Sequence, residues 1–210
     1  MTALVVETPV GAARVHVSRP PRARGVLALG HGAGPSIATV DLTTTRDTLA
    51  DEGWAVALVE QPWLVAGRRV APRPAVLDAA WVPAVTALRA RGGPLARVPG
   101  PLLVAGRSAG ARVACRTATA VGAAGVLALS FPLHPPGKPQ ASRADELLIP
   151  VRAGLPVAVV QGERDPFGTP AELAAYPPRV YAVPGTHTIP TSAADRVAAA
   201  VREITRGLRE

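Results

Sequence analysis

The fold of this chain is decided by the stretch Val104-Ala105-Gly106-Arg107-Ser108-Ala109-Gly110-Ala111. The apolar residues 101–105 predict a buried strand, and the residues after the stretch follow a helical pattern. The turn between them has the spacing G-x-S-x-G, which is typical of a nucleophile elbow. Such a turn holds a serine hydroxyl exposed, where a neighbouring base can activate it. We therefore predict that Ser108 is a nucleophile and that the amide of Ala109 faces a developing oxyanion. The alternative is a glycine-rich turn with an unreactive serine.

Segments of strand and helix character alternate along the rest of the chain. Two short strands are predicted at 4–7 and 13–18, followed by buried strands at residues 25–29, 54–59, 101–105, 125–130, 156–161 and 179–183. A helical stripe near the end comprises Val197, Val201, Ile204 and Leu208. This alternation predicts an α/β fold, a mostly parallel, doubly wound sheet with helices on both faces. We find no internal repeat or linker and expect a single domain over residues 1–210.

The composition excludes several classes of protein. Of the 210 residues, 48% are hydrophobic, which excludes a disordered chain. The single cysteine, Cys115, excludes a disulfide framework and favours a reducing, cytoplasmic environment. Residues 1–7 lack the basic and apolar regions of a signal peptide. The charge-free stretch 117–133 contains glycines and a proline, so we do not expect it to span a membrane.

The net charge of +8 raises the question of a nucleic-acid partner. It arises from 22 arginines and one lysine, which are distributed along the whole chain. Heavy use of arginine together with alanine, glycine, proline and valine indicates codon bias. No basic run is interleaved with aromatic residues, as a nucleic-acid surface would require. We therefore predict a small-molecule partner and no nucleic-acid partner.

A second glycine-rich turn follows the strand at 25–29 and reads Gly30-His31-Gly32-Ala33-Gly34-Pro35. Small residues after this strand are typical of the loop that provides the second oxyanion donor of a hydrolase. The amide of Ala33 or Gly34 is therefore predicted to face that of Ala109. The alternatives are an ordinary glycine turn and a phosphate-binding loop, although the Gly-Lys-Ser/Thr of the latter is absent. No metal-ligand cluster or nucleotide fingerprint is found, so no cofactor is expected.

An acid and a base follow the elbow in the order that a hydrolase triad requires, Ser, then Asp or Glu, then His. The two histidines after Ser108 are His134 and His187, and His134 precedes every suitable acid. Asp165 and His187 each come just after a predicted strand. We predict that His187 takes the proton of Ser108 and that Asp165 orients His187. The alternatives are a turn or capping role for Asp165 and a solvated loop position for His187.

Four further residues are candidates for the substrate pocket: His31, Trp63, Arg107 and His134. Trp63 follows the strand at 54–59, at the end of the sheet where α/β proteins bind ligands. Packing beneath the predicted loop 64–74 is an equal alternative for Trp63. Arg68 and Arg69 would favour an acidic substrate if they join this pocket, although solvated arginines are commoner on protein surfaces.

Four motifs together carry a resemblance that covers nearly the whole chain. They are Gly30-His31-Gly32-Ala33-Gly34, Gly106-Arg107-Ser108-Ala109-Gly110, Pro132-Leu133-His134-Pro135-Pro136-Gly137-Lys138-Pro139 and Gly162-Glu163-Arg164-Asp165-Pro166-Phe167-Gly168. They resemble the small α/β-hydrolase-like family akin to dienelactone hydrolases, which includes testis-expressed proteins and a scaffold subunit of a histone-acetyltransferase complex. The resemblance implies an α/β-hydrolase core and carries Ser108, Asp165 and His187 onto the triad. Trp63 stands where the family pattern suggests tyrosine.

Two functions follow from these patterns. The first is a serine hydrolase that cleaves a small ester or thioester by acyl transfer, and the ordered triad favours it. The second is a non-catalytic scaffold or interaction module that retains the elbow. No segment between the predicted strands is long enough for a separate lid, so we expect a minimal core with a shallow, open site. The oligomeric state is left open.

Overall fold

The computed structural model describes residues 2–207, and Leu208 of the predicted helical stripe lies outside this range. Within it, eight strands form one sheet. They are β1 (Thr2–Thr8), β2 (Gly11–Ser18), β3 (Val26–Gly30), β4 (Ala55–Glu60), β5 (Leu102–Arg107), β6 (Gly125–Leu129), β7 (Val157–Gly162) and β8 (Arg179–Val183). All five residues of β3 and of β6 are buried, as their uninterrupted apolar sequences predict.

The order of the strands is β1-β2-β4-β3-β5-β6-β7-β8. β1 and β2 form an antiparallel hairpin at one edge, and β2 also pairs antiparallel with β4. The remaining strands are parallel, with β3 between β4 and β5 and with β6, β7 and β8 added in turn. The chain therefore reverses its direction of winding next to β3, and a crevice forms beside such a reversal at the carboxyl ends of the strands. The predicted mostly parallel, doubly wound sheet is confirmed.

Seven α-helices lie within residues 2–207. They are α1 (Val40–Asp51), α2 (Pro62–Val65), α3 (Pro74–Arg89), α4 (Ala109–Thr117), α5 (Ala144–Arg152), α6 (Pro170–Leu173) and α7 (Ala194–Gly207). The short helix α2 replaces the start of the predicted loop 64–74. Its first residue, Pro62, lacks an N–H that the first turn of a helix does not need. None of the helices described has both the length and the apolar character needed to cross a bilayer.

Two hydrophobic layers enclose the sheet, because alternate residues of each strand point to opposite faces. One layer combines Ala28, Val104 and Ala128 with residues of α3, α4 and α5. The other combines leucines of the same strands, such as Leu29 and Leu127, with α1 and α7. Aromatic residues are only 3% of the chain, so alanine, valine and leucine supply most of both layers. The rigid sheet holds the loops at its carboxyl edge in place.

Candidate active site

The turn that contains Ser108 joins β5 directly to α4 and has a strained backbone. Ser108 has φ 54° and ψ −112°, a conformation that residues with a side chain rarely adopt. A Cβ at Gly106 would collide with the backbone of Gly110, and one at Gly110 would lie 2.6 Å from the carbonyl oxygens of Gly30 and His31. Both glycines of G-x-S-x-G are therefore required by close backbone packing, and the turn holds the Ser108 hydroxyl at the carboxyl edge of the sheet.

The structure brings Ser108, His187 and Asp165 into one hydrogen-bonded chain. His187 Nε2 lies 2.9 Å from Ser108 Oγ, and His187 Nδ1 lies 2.8 Å from Asp165 Oδ2. Asp165 accepts, so Nδ1 of a neutral His187 carries the proton and Nε2 is free to accept from the Ser108 hydroxyl. Asp165 follows β7 and is 1% exposed, whereas His187 follows β8 and its side chain is 16% exposed. This arrangement allows proton transfer from serine to histidine.

Asp165 is held by two further donors besides His187. The Phe167 N–H donates to Oδ1 at 2.9 Å, and Gln161 Nε2 donates to Oδ2 at 2.9 Å. The ring of Phe167 also packs on the imidazole of His187, with 4.3 Å between the ring centroids. The carboxylate therefore has a fixed orientation, with one oxygen aimed at His187.

Gln161 is a residue whose role sequence reasoning missed. It is fully buried at the end of β7 and makes a reciprocal pair with the backbone of Phe131, whose N–H donates to Gln161 Oε1 at 2.8 Å. The Gln161 amide nitrogen also lies 2.8 Å from the Gly168 oxygen. Gln161 thus joins the loop after β6 to the loop that contains Asp165. An uncharged polar residue at the end of an apolar strand is the sequence signal that marks such a link.

The predicted oxyanion loop after β3 packs against the elbow. A Cβ at Gly32 would lie 2.9 Å from Arg107 Nη1, so a larger residue here would displace the Arg107 guanidinium. Ala33 and Gly34 are exposed, and a Cβ at Gly34 would meet nothing within 4 Å. Ala109 is the first residue of α4, where backbone N–H groups have no partner within the helix. Gly32 is thus the residue of this loop that lies against Arg107, and the amides of Ala109, Ala33 and Gly34 remain the predicted donors.

His31 is a buried link between loops. Its Nε2 accepts from the Gln61 N–H at 3.0 Å, and its Nδ1 donates to the Gly32 carbonyl at 2.7 Å. Burial lowers the pKa of His31, which keeps the imidazole neutral, as the accepting role of Nε2 requires. His31 therefore fixes the oxyanion loop to the end of β4 and has no free nitrogen for a substrate.

A small cavity lies beside the elbow, with a volume of about 10 Å³, which is room for about one water molecule. Its walls include His31, Trp63, Ala109 and Val113. The indole of Trp63 is 5% exposed, lies 5.6 Å from the His31 ring centroid, and has no hydrogen-bond partner for Nε1 among residues 2–207. On its other side Trp63 lines a groove that also includes Arg68. Trp63 and Gln61 are therefore common to the walls of the cavity and of this groove.

His134 and Arg107 do not project into this cavity. His134 Nε2 lies 3.0 Å from Glu172 Oε1 and its Nδ1 lies 2.9 Å from the Pro135 oxygen, so it ties the loop after β6 to α6. The contact with the Pro135 carbonyl, followed by that with Glu172, raises the pKa of His134. Arg107 turns inward, with its side chain 13% exposed, and donates to the backbone oxygen of His187. Arg68 and Arg69 are exposed on the loop after α2.

Comparison with known proteins agrees with this architecture. A family model described as an alpha/beta hydrolase domain matches residues 23–191. No curated protein matches the sequence significantly. An α/β serine hydrolase without a lid from Xanthomonas campestris shares 19% identity at a TM-score of 0.74, with coverage of 98% of this chain and 93% of that chain.

Two further solved structures have the same fold. An α-β serine hydrolase homologue from Coxiella burnetii is 15% identical, with a TM-score of 0.74 and coverage of 99% of this chain and 97% of that chain. The protein Est1E from Butyrivibrio proteoclasticus is 16% identical, with a TM-score of 0.73 and 98% coverage of each chain. At these identities the likeness concerns the fold. It agrees with the predicted minimal core without a lid domain.

Proposed function

The chain belongs to the alpha/beta hydrolase domain family, and we propose that it is a serine hydrolase that cleaves a small ester or thioester. The observation that carries this proposal is the continuous hydrogen-bonded chain from Ser108 through His187 to Asp165. Nucleophile, base and orienting acid are each within hydrogen-bond reach of the next, which is the geometry that acyl transfer requires. The esterase and serine hydrolase names of the structural neighbours are consistent with it.

Acylation begins when His187 Nε2 accepts the proton of the Ser108 hydroxyl. Ser108 Oγ attacks the carbonyl carbon, and the carbonyl oxygen becomes an oxyanion facing the amides of Ala109 and of Ala33 or Gly34. Each such donor is worth about 3 kcal/mol of transition-state stabilisation. The protonated His187 then gives its proton to the departing alcohol or thiol, and the acyl group remains on Ser108.

Deacylation repeats these steps with water as the nucleophile. His187 takes a proton from water, the hydroxide attacks the acyl carbon, and Ser108 leaves with the proton that His187 returns. Asp165 stays ionised throughout and stabilises the positively charged imidazole in both halves of the reaction. The products are a carboxylic acid and a free Ser108.

The cavity beside the elbow supports a small acyl group as the substrate class. Its walls include Ala109, the residue after the nucleophile, and the indole of Trp63. Its volume of about 10 Å³ admits one group of about the size of a water molecule. We therefore propose that short acyl chains bind against Trp63 and that longer ones are rejected.

Trp63→Ala is expected to shift the preference toward longer acyl chains, because the substitution joins the cavity to the groove beyond it. We expect the ratio of kcat/KM for p-nitrophenyl octanoate to that for the acetate to rise by about 10-fold or more. The ratio is the measurement, since any loss of packing lowers activity on both esters. Trp63→Phe retains a ring at this position and is the matched control. An unchanged ratio in Trp63→Ala would show that the indole does not limit the acyl chain.

A fluorophosphonate probe tests the serine hydrolase proposal directly. It reacts with serine only where a base activates the hydroxyl, so the folded protein should be labelled and the heat-unfolded protein should not. Peptide mass analysis should place the adduct on Ser108. A label on another serine, or equal labelling of the unfolded chain, would contradict the proposal.

The non-catalytic scaffold is the alternative function. It predicts no probe labelling and no turnover of short esters by the purified chain. The assembled Ser108–His187–Asp165 chain favours catalysis, because a scaffold has no need of these contacts. The narrower resemblance to dienelactone-hydrolase-like proteins, the single domain and the cytoplasmic location remain predictions from the sequence.

A further inference from the structure

We infer that Arg107 is a positioning residue that, together with Asp41, holds the backbone of His187 in the place that proton transfer requires. The inference rests on the proposed serine hydrolase function, because it assigns the support of that function's base. Arg107 is the last residue of β5 and immediately precedes Ser108. Its guanidinium contacts Asp41 of α1 and the loop after β8.

The contact of Arg107 with His187 is short and involves a charged donor. Arg107 Nη2 donates to the His187 carbonyl oxygen at 2.7 Å. Hydrogen bonds from a charged group are about twice as strong as neutral ones. Because the contact is made to the backbone of His187, it restrains the residue itself and leaves both ring nitrogens for Ser108 and Asp165.

Asp41 anchors the other side of the guanidinium. Asp41 lies in the first turn of α1 and is 2% exposed, and its Oδ2 is 3.4 Å from Arg107 Nε. At this distance the two groups form an ion pair, although Nε makes no hydrogen bond. The pair lies in the low-dielectric interior, where two opposite charges interact more strongly than at the surface.

The carboxylate of Asp41 is itself held in one orientation. Thr39 Oγ1 donates to Oδ1 at 2.5 Å and the Leu42 N–H donates to Oδ1 at 2.9 Å. Ser130 Oγ lies 3.4 Å from Oδ2. These contacts leave Oδ2 directed at Arg107. A connected path therefore runs from α1 through Asp41 and Arg107 to the backbone of the proposed base.

The consequence for catalysis follows from the position of Arg107 in the chain. Arg107 and Ser108 are adjacent on the elbow, so the same short segment carries the nucleophile and restrains the base. A shift of the elbow would therefore move the Ser108 hydroxyl and the backbone of His187 together. Losing the contact would free the His187 loop and lengthen the distance to Ser108 Oγ. A misplacement of about 1 Å lowers the rate of such a reaction by about 100-fold.

Arg107→Gln is therefore expected to lower kcat for p-nitrophenyl acetate by about 100-fold, with KM changed by less than about 3-fold. Arg107→Lys keeps the charge but not the fork of donors, and we expect it to recover part of the loss. The matched control is Arg112→Gln. Arg112 lies on α4, its side chain is 19% exposed, and it pairs with Glu146 away from the triad. The control should lose similar stability and keep its kcat.

Asp41→Asn tests whether Asp41 acts through Arg107. If it does, the double variant Asp41→Asn/Arg107→Gln should be no more than about 2-fold slower than Arg107→Gln alone, since the two residues form one unit. The inference is overturned if the two losses multiply, if Arg107→Gln matches the kcat of Arg112→Gln, or if its effect lies in KM alone. The last outcome would assign Arg107 to substrate binding.

A proton NMR experiment separates this inference from the proposed function. The Nδ1 proton of His187, shared with Asp165 in the wild type, should give a low-field resonance that is absent in His187→Gln. We expect this resonance to broaden or disappear in Arg107→Gln and to persist in Arg112→Gln. Persistence in Arg107→Gln overturns the inference whether or not the protein hydrolyses esters. A wild type that shows the resonance but neither turnover nor probe labelling contradicts only the proposed function.

Discussion

Ser108→Ala is expected to lower kcat for p-nitrophenyl acetate by about 10⁶-fold and to abolish labelling by a fluorophosphonate. The variant lacks the atom that forms the acyl-enzyme bond, so only water attack assisted by the oxyanion amides remains. The fold should persist, because the contact that the elbow makes at this residue, from the Ser108 N–H to the Leu129 oxygen at 2.9 Å, uses backbone atoms. Steady-state and single-turnover kinetics measure the loss.

Ser192→Ala is the matched control for this substitution. Ser192 is exposed in the short 3₁₀ helix Thr191–Ala193, a few residues after His187, and should be replaced without effect. Circular dichroism and the melting temperature establish that both variants are folded. Retention of more than about 1% of the wild-type kcat in folded Ser108→Ala would place the nucleophile elsewhere and remove the basis of the proposed function.

Asp165→Asn is expected to lower kcat by about 10⁴-fold while leaving KM nearly unchanged. The Asp165 carboxylate accepts from three donors, namely Phe167 N–H, Gln161 Nε2 and His187 Nδ1. An asparagine at this position has one oxygen and one NH₂ group. In one orientation the NH₂ group faces the Phe167 N–H, and in the other it faces the Gln161 amide and the His187 ring. The favoured outcome is a His187 tautomer with the proton on Nε2, which cannot accept from Ser108.

Glu163→Gln is the control for this second substitution. Glu163 lies two residues before Asp165 and its side chain is exposed, so it reports the effect of removing a charge near the site. Its kcat should stay within about 2-fold of the wild type. If Asp165→Asn behaves like Glu163→Gln, the acid of the triad is another residue and His187 is oriented by other contacts.

Much of the fold was predictable from the sequence because the relevant signals are local. Apolar runs such as residues 125–129 predict strands that are buried on both faces, and glycines mark the turns that end them. The start of the loop 64–74 was predicted incorrectly, because the one-turn helix α2 is too short to show a helical period. The order of the strands in the sheet also needed the structure, since periodicity carries no information on neighbours.

The candidate site was predictable in its three principal residues and less so in their surroundings. Ser108 lies in a local motif, and the chain order of a hydrolase points to Asp165 and His187. The support for these residues was not predicted. Gln161 appears in the sequence only as the end of an apolar strand, and Asp41 appears as one acidic residue at the start of a helix. Gln161 contacts Phe131 and Asp41 contacts Arg107, and both partners are distant along the chain.

The pocket residues illustrate the same limit. His31, Arg107 and His134 have polar side chains next to functional motifs, and such positions fit either substrate contact or structural support. In the folded chain each of these three side chains makes a hydrogen bond to another segment, and only His31 among them joins Trp63 in lining the cavity. Sequence position alone cannot distinguish these roles, because they depend on the direction in which each side chain leaves the backbone.

The sequence by itself determined the class of fold and the residues that carry the proposed chemistry. Both depend on short-range properties, namely the periodicity of apolar residues and the backbone freedom of glycine at the elbow. Only the tertiary structure decided which groups hold Ser108, Asp165 and His187 within hydrogen-bond distance of one another. That decision depends on how far each loop extends beyond the sheet and on which loops meet there. Residues 41, 107 and 187 come together because three separate elements converge on the carboxyl edge of one sheet.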